Sequence, residues 1–293
     1  MSSGWVRAIL EALLGFVAAM LALAGRGGAR RRDDGEDVAP ASGGWSVAGL
    51  ADGPISRRGL LADDGVDGET RSALASAWLD SARAAHGALA ASTQRALDLV
   101  SLQAPPELVT RAHEDALDEI RRVKSCLGVA RAIDGRSAPS LGAPARRALP
   151  RSRAAALALL AAEIVVDAAL VECRASRMNA KLARRTTDRA IRAALEEIAA
   201  SEARRLPHLW AVVRWCVAEG GGAVEHALRA LVGRWPPPRR DLPPEALDGG
   251  WERWGIAGAA LERQEHARAC ELVARNVHEL VSSTSRRGRL AAA

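Results

Sequence analysis

Two short runs carry most of the chemistry this sequence could do. Asp118-Glu119-Ile120-Arg121-Arg122 and Ser201-Glu202-Ala203-Arg204-Arg205 share one pattern: an acid or serine, a glutamate, an apolar residue and two arginines. Residues i and i+3 share a face of a helix, so Glu119 falls beside Arg122 and Glu202 beside Arg205. Two carboxylates brought to one level inside a helical core repel and lose solvation unless a cation lies between them. A metal ion can fill that role. So can a guanidinium, which is permanently charged and whose planar fork matches a carboxylate. The other titratable residues offer less. His86 reads as a ligand, an acid/base group or a core histidine, and Asp167 as a substitute ligand. His113 and His208 lie off the Glu119 and Glu202 faces, while His226, His266 and His278 have no partner cluster. Cys126, Cys173, Cys216 and Cys270 are far apart and read as small buried hydrophobes, not as a thiolate metal site.

The elements that must position these residues are helices. Apolar residues recur at spacings of three and four over 69–102, 105–134, 152–184 and 188–219, and a last helix is expected over about 256–282. Pro105-Pro106 suits a helix start, Asp134-Gly135 a stop and Thr187-Asp188 a cap. Pro207, inside the fourth helix, should kink it. Residues 220–250, with Gly220-Gly221-Gly222 and Pro236-Pro237-Pro238, read as a short helix and a loop. Short connections make the first and second helices a hairpin, and likewise the third and fourth. Folded about residue 185, Glu202 would face Ala168; folded about residue 103, Glu119 would fall within a turn of Ala85 and His86. Gly135 to Arg151, about 17 residues, separates the hairpins. It can reach ~55 Å when extended, more than the ~42 Å of a 28-residue helix, so it can cross the bundle.

Composition agrees with helices: Ala, Leu and Arg are abundant, Tyr is absent, Phe occurs once and Trp eight times. The net charge of +6 arises from 41 basic and 35 acidic residues that are mostly interspersed. A nucleic-acid footprint should cluster, so nucleic acid is not expected as a partner. Residues 1–25 contain an apolar run and read equally as a signal peptide or a membrane anchor facing the cytoplasm. Residues 26–68 read as a disordered linker, 69–282 as one helical domain and 283–293 as a disordered tail. No phosphate loop, nucleophile elbow or kinase-type motif occurs.

Residues 70–282, nearly three-quarters of the chain, resemble a ferritin-like domain of the di-iron carboxylate superfamily, of the rubrerythrin-related kind. The likeness rests on Pro105-Pro106-Glu107-Leu108-Val109, on Ala116 to Arg121, and on Ala193 to Arg204 followed by Trp210 and Trp215. It implies an all-α, four-helix bundle with a long crossover between helices 2 and 3 and an additional C-terminal helix. It also implies one glutamate ligand from each of helices 1 and 3, and a Glu-x-x-His pair from each of helices 2 and 4. Glu119 and Glu202 match, and His86 survives beside a lost position. Ala85, Arg122, Ala168 and Arg205 stand where the other ligands would be.

Four of six ligands are therefore absent, and the expectation is a non-catalytic module without a metal cofactor. In it, cross-pairs Glu119–Arg205 and Glu202–Arg122 would replace the di-iron site. The rival expectations are an oxidoreductase or metal-storage protein holding iron or manganese in a reduced site, and a basic bundle associated with nucleic acid. A protein partner is expected but unspecified, the N-terminal segment could contact membrane, and the oligomeric state is open.

Overall fold

The chain is described here by a computed structural model, which covers residues 66–135, 148–237 and 244–291. Segment 1–25, nearly all of the linker and crossover residues 136–147 lie outside the described residues. Every regular element among the described residues is helical, which makes the protein all-α.

Helix α1 spans Gly68–Ser101 and α2 spans Pro106–Asp134. Then comes one continuous helical rod, α3 (Arg153–Glu163), a π segment (Ile164–Ala169) and α4 (Leu170–Arg185). Helix α5 is Arg189–Gly220, α6 is Gly222–Leu231, α7 is Pro244–Leu247 and α8 is Ala259–Ala291. The ends follow from local chemistry. Asp67 accepts from Thr70 N (2.8 Å) at the start of α1, and Asp188 accepts from Ala190 N (2.7 Å) and Ile191 N (3.0 Å) at the start of α5. Proline opens α2, and Gly135, at φ 72°, closes it in the left-handed conformation.

Helix α1 packs along α2, α4 along α5, and α2 against α5 joins the two pairs. Helix α6 closes against α3, and α8 lies along α4. A 3₁₀ turn at Glu252–Trp254 seals one end, where Trp78 Nε1 donates to Trp254 O (3.2 Å). Gly255 is needed there. Its φ is 82°, and a Cβ would come within 2.8 Å of the Trp78 ring and 2.9 Å of Ile191.

Two expectations change. Helix α8 begins three residues later than the sequence pattern suggested and runs on to Ala291, through residues read as a tail. The third helix is interrupted by the π segment, whose wider turn adds a residue to the register. Helix α5 runs through Pro207 as one element.

The core is two apolar clusters, not one. One joins Leu74–Ala85, Val123–Ile133, Met178–Ala183 and Ile191–Ile198 with Trp251 and Trp254. The other joins Ala96–Leu102, Ala156–Leu170, Leu209–Val217 and residues of α6 and α8. All four long helical elements break their apolar stripe between these clusters. Buried polar residues occupy the gap: Ser92 and Arg95 on α1, Asp115, Asp118 and Glu119 on α2, Glu172 on α4, and Ser201, Glu202, Arg205 and His208 on α5.

Candidate functional site: a buried charged layer

The two arginines of each run part company. Arg121 and Arg204 reach solvent and flank Asp118, Arg121 as its direct ion-pair partner and Arg204 at 3.9 Å. Arg122 and Arg205 turn inward, as an i+3 neighbour of an inward glutamate must. Arg205 is 2% exposed and its Nη2 lies 2.8 Å from Glu119 Oε1 and 2.6 Å from Glu172 Oε2. Its Nη1 donates to Ser201 Oγ (3.0 Å). Arg122 Nη1 lies 3.1 Å from Glu202 Oε1 and 3.7 Å from Glu119 Oε2. Asn179 Nδ2 donates to the second Glu202 oxygen, Oε2, at 3.1 Å. Thus Glu119, Arg122, Glu202 and Arg205 meet in one lattice, with α2 and α5 contributing an acid and a base each.

The lattice extends past Glu172 and Arg205. Buried Arg95 has its charge coupled to Asp115, Glu172 and Glu119. Asp115 Oδ2 lies 2.6 Å from His208 Nδ1, and His208 Nε2 lies 3.1 Å from Leu108 O. Both ring nitrogens therefore face acceptor oxygens. Three arginines then face four carboxylates, Asp115, Glu119, Glu172 and Glu202, with His208 as the remaining partner.

Electrostatics follow from burial. Desolvation, the largest influence, raises the carboxyls of Glu119 and Glu202 to about 7 each, against the pull of Arg122 and Arg205. Geometry explains why the arginines do not prevail. Glu119 Oε2 and Glu202 Oε1 meet Arg122 as ion-pair contacts without an aligned hydrogen bond. For Arg122 and Arg205, burial works against the charge, but Glu202 and Glu119 for Arg122, and Glu172 and Glu119 for Arg205, outweigh it, so both stay firmly protonated. Arg95 is lowered, desolvation exceeding the help from Asp115 and Glu172.

Several positions singled out in the sequence lie elsewhere. Ala85 packs in the first apolar cluster and Ala168 in the second, on opposite sides of the charged layer. His86 is half-buried next to Ala85, and Asp167 is exposed. The third helix reaches the layer through Glu172, a turn beyond Ala168. The hairpin turns at Thr186–Asp188, not at residue 185, and moving its centre to residue 187 moves the residue that faces position 202 from 168 to 172. Ser176 Oγ donating to Ala199 O (3.1 Å) marks the true pairing. On α1 the layer residue is Arg95, whose charge is felt by Asp115, Glu172 and Glu119. His208, expected off the face, sits inside the network. The signal that could have found these residues is the interrupted stripe: each helix turns polar for two to three turns at matching depth.

Comparison of the chain with protein-family models, curated proteins and solved structures returns no match.

Proposed function

We propose that this protein is a non-catalytic helical module with a ferritin-like bundle, in which a glutamate–arginine lattice occupies the level where di-iron relatives hold metal. The observation that carries the reading is Arg205, buried between Glu119 and Glu172 with Arg122 bridging Glu202 and Glu119. Di-metal chemistry needs carboxylates with free lone pairs, neutral imidazoles and an open position for oxygen or substrate. This donor set does not suit it. Guanidinium groups offer only donors, repel cations and occupy the carboxylate oxygens. The role of the lattice is then structural. It fixes which turn of each helix meets which, because any slip of one turn would press charge against an apolar cluster. A rigid, uniquely registered bundle suits a scaffold or a protein-binding module better than a reaction centre.

Metal analysis of purified full-length protein tests this. Iron and manganese well below one equivalent are expected, before and after incubation with excess ferrous or manganous ion. Stoichiometric uptake of either would overturn the reading in favour of a metal-storage protein or oxidoreductase. As a second arm, Arg122→His with Arg205→His would place two imidazoles among Glu119, Glu172 and Glu202, and this double variant should gain cobalt(II) binding, read by its visible absorption.

A further inference from the structure

A second cluster of reactive groups lies where α8 crosses α4, away from the charged layer. Register there is set by Glu265 on α8, whose carboxylate takes Arg177 Nε (2.8 Å) and Lys181 Nζ, both on α4. Lys181 and Arg177 are a turn apart, so Glu265 stands opposite residue 179. The two helices run antiparallel, and moving six residues towards the start of α4 and five further along α8 brings Cys173 level with Cys270. Both thiols pack half-buried against the same apolar cluster. They are also close enough that charge on Cys173 disfavours charge on Cys270.

One of the two has a base. His266 Nε2 lies 3.4 Å from Cys270 Sγ. Proline has no N–H, so the hydrogen bond between the His266 ring and the Pro236 backbone runs from the ring to the Pro236 carbonyl. With Nδ1 donating there, Nε2 is left as an acceptor towards the thiol. Burial and Arg174 both hold the ring below its usual value, so it is neutral near pH 7. Nucleophile, base and orienting carbonyl form the arrangement that activates a cysteine. Among the described residues no three His, Cys, Asp or Glu side chains are grouped to hold a metal ion, so the pair reads as thiol chemistry.

We propose that Cys270 and Cys173 form a reversible dithiol–disulfide site, with Cys270 the attacking thiol, His266 its base and Cys173 the resolving thiol. The co-reactant is a small disulfide. Cys270 passes its proton to His266 and attacks one sulfur of RSSR; the S–S bond breaks, and RS⁻ leaves and takes the proton as RSH. Cys173 then gives up its proton, its thiolate attacks the Cys270 sulfur of the mixed disulfide, and the RS⁻ expelled takes up that proton as a second RSH. Two thiols are oxidised, one RSSR is reduced to two RSH, and the product pins α8 to α4. Burial raises both thiols, so transfer to His266, with Arg174 beside the nascent thiolate, supplies the reactive form.

Oxidised glutathione is the probe for the full-length protein, followed by unfolding, alkylation and peptide mass spectrometry. Four free thiols should fall to two, with Cys173 and Cys270 recovered in one cross-linked pair and a mass loss of two hydrogens. Cys126 and Cys216 are internal controls, since both are buried and burial pushes the Cys216 thiol up to about 12. Cys173→Ala should stop at a glutathione adduct on Cys270. His266→Gln should form that adduct more slowly, with the deficit shrinking as pH rises. Four alkylated thiols in the wild type, or an adduct on Cys270 that Cys173 does not displace, would overturn the proposal.

Discussion

Two glutamate sites in this molecule are both withdrawn from water, yet they are built in opposite ways. Glu265 is fully covered, but its partners Arg177 and Lys181 are 38% and 28% exposed, so the cations keep part of their hydration. Glu119 and Glu202 are covered together with Arg205, and Arg122 keeps only 15% exposure. Burial also acts to raise Glu265, but the hydrogen bonds and charges of Lys181 and Arg177 outweigh it and hold its carboxyl below the usual range. At Glu119 and Glu202 desolvation prevails and the carboxyls rise. A buried acid is thus kept ionised by cations that remain wet, and is pushed towards neutrality when its cations are buried with it.

The sharpest way to break this contrast is to remove the central cation. Arg205→Ala leaves Glu119 and Glu172 buried without their partner and should cost about 3–5 kcal/mol, measured by urea denaturation. A loss below about 1 kcal/mol would mean that the layer is hydrated. Next in size is pH. Glu119 and Glu202 bind protons more tightly folded than unfolded, so their contribution is fully present below about pH 4.5 and is lost as pH rises through about 7. Glu119→Gln with Glu202→Gln should flatten that slope in thermal melts. Asn179→Ala, which deletes a single donor to Glu202, should cost about 1 kcal/mol.

Glu265 should behave with the reverse sign and the smallest amplitude. Its lowered carboxyl stabilises above the unfolded value and loses that effect as pH falls through the folded one. Glu265→Gln should therefore cost no more than about 1 kcal/mol at neutral pH, vanish in acid and shrink in high salt. Equal salt sensitivity for Arg205→Ala and Glu265→Gln would erase the distinction between the sites.

The helices were legible because their signals are local. Apolar spacing, Pro105-Pro106, Gly135 and Asp188 each act within a turn or two, and the four long helices start and stop within a residue or two of the expected places. The paired runs at 118–122 and 201–205 were legible for the same reason. Glu172 and Arg95 were not, since their depth depends on adding up turns along two helices. A two-residue misplacement of the Thr186–Asp188 turn suffices to exchange Glu172 for Ala168. His208 was missed differently. Its ring spans from α5 to the first turn of α2, a contact between elements a hundred residues apart.

The π segment also sets a phase. Excising one residue from 164–169 would restore α spacing and keep the phase of residues 170–185, which follow on one rod, whereas winding the same six residues as regular α-helix would rotate all of them by about 100° relative to α3. Glu172 would swing from Arg205, Asn179 from Glu202, and Arg177 and Lys181 from Glu265. The phase of two distant electrostatic sites is thus set by six residues that carry no charge of their own beyond exposed Asp167.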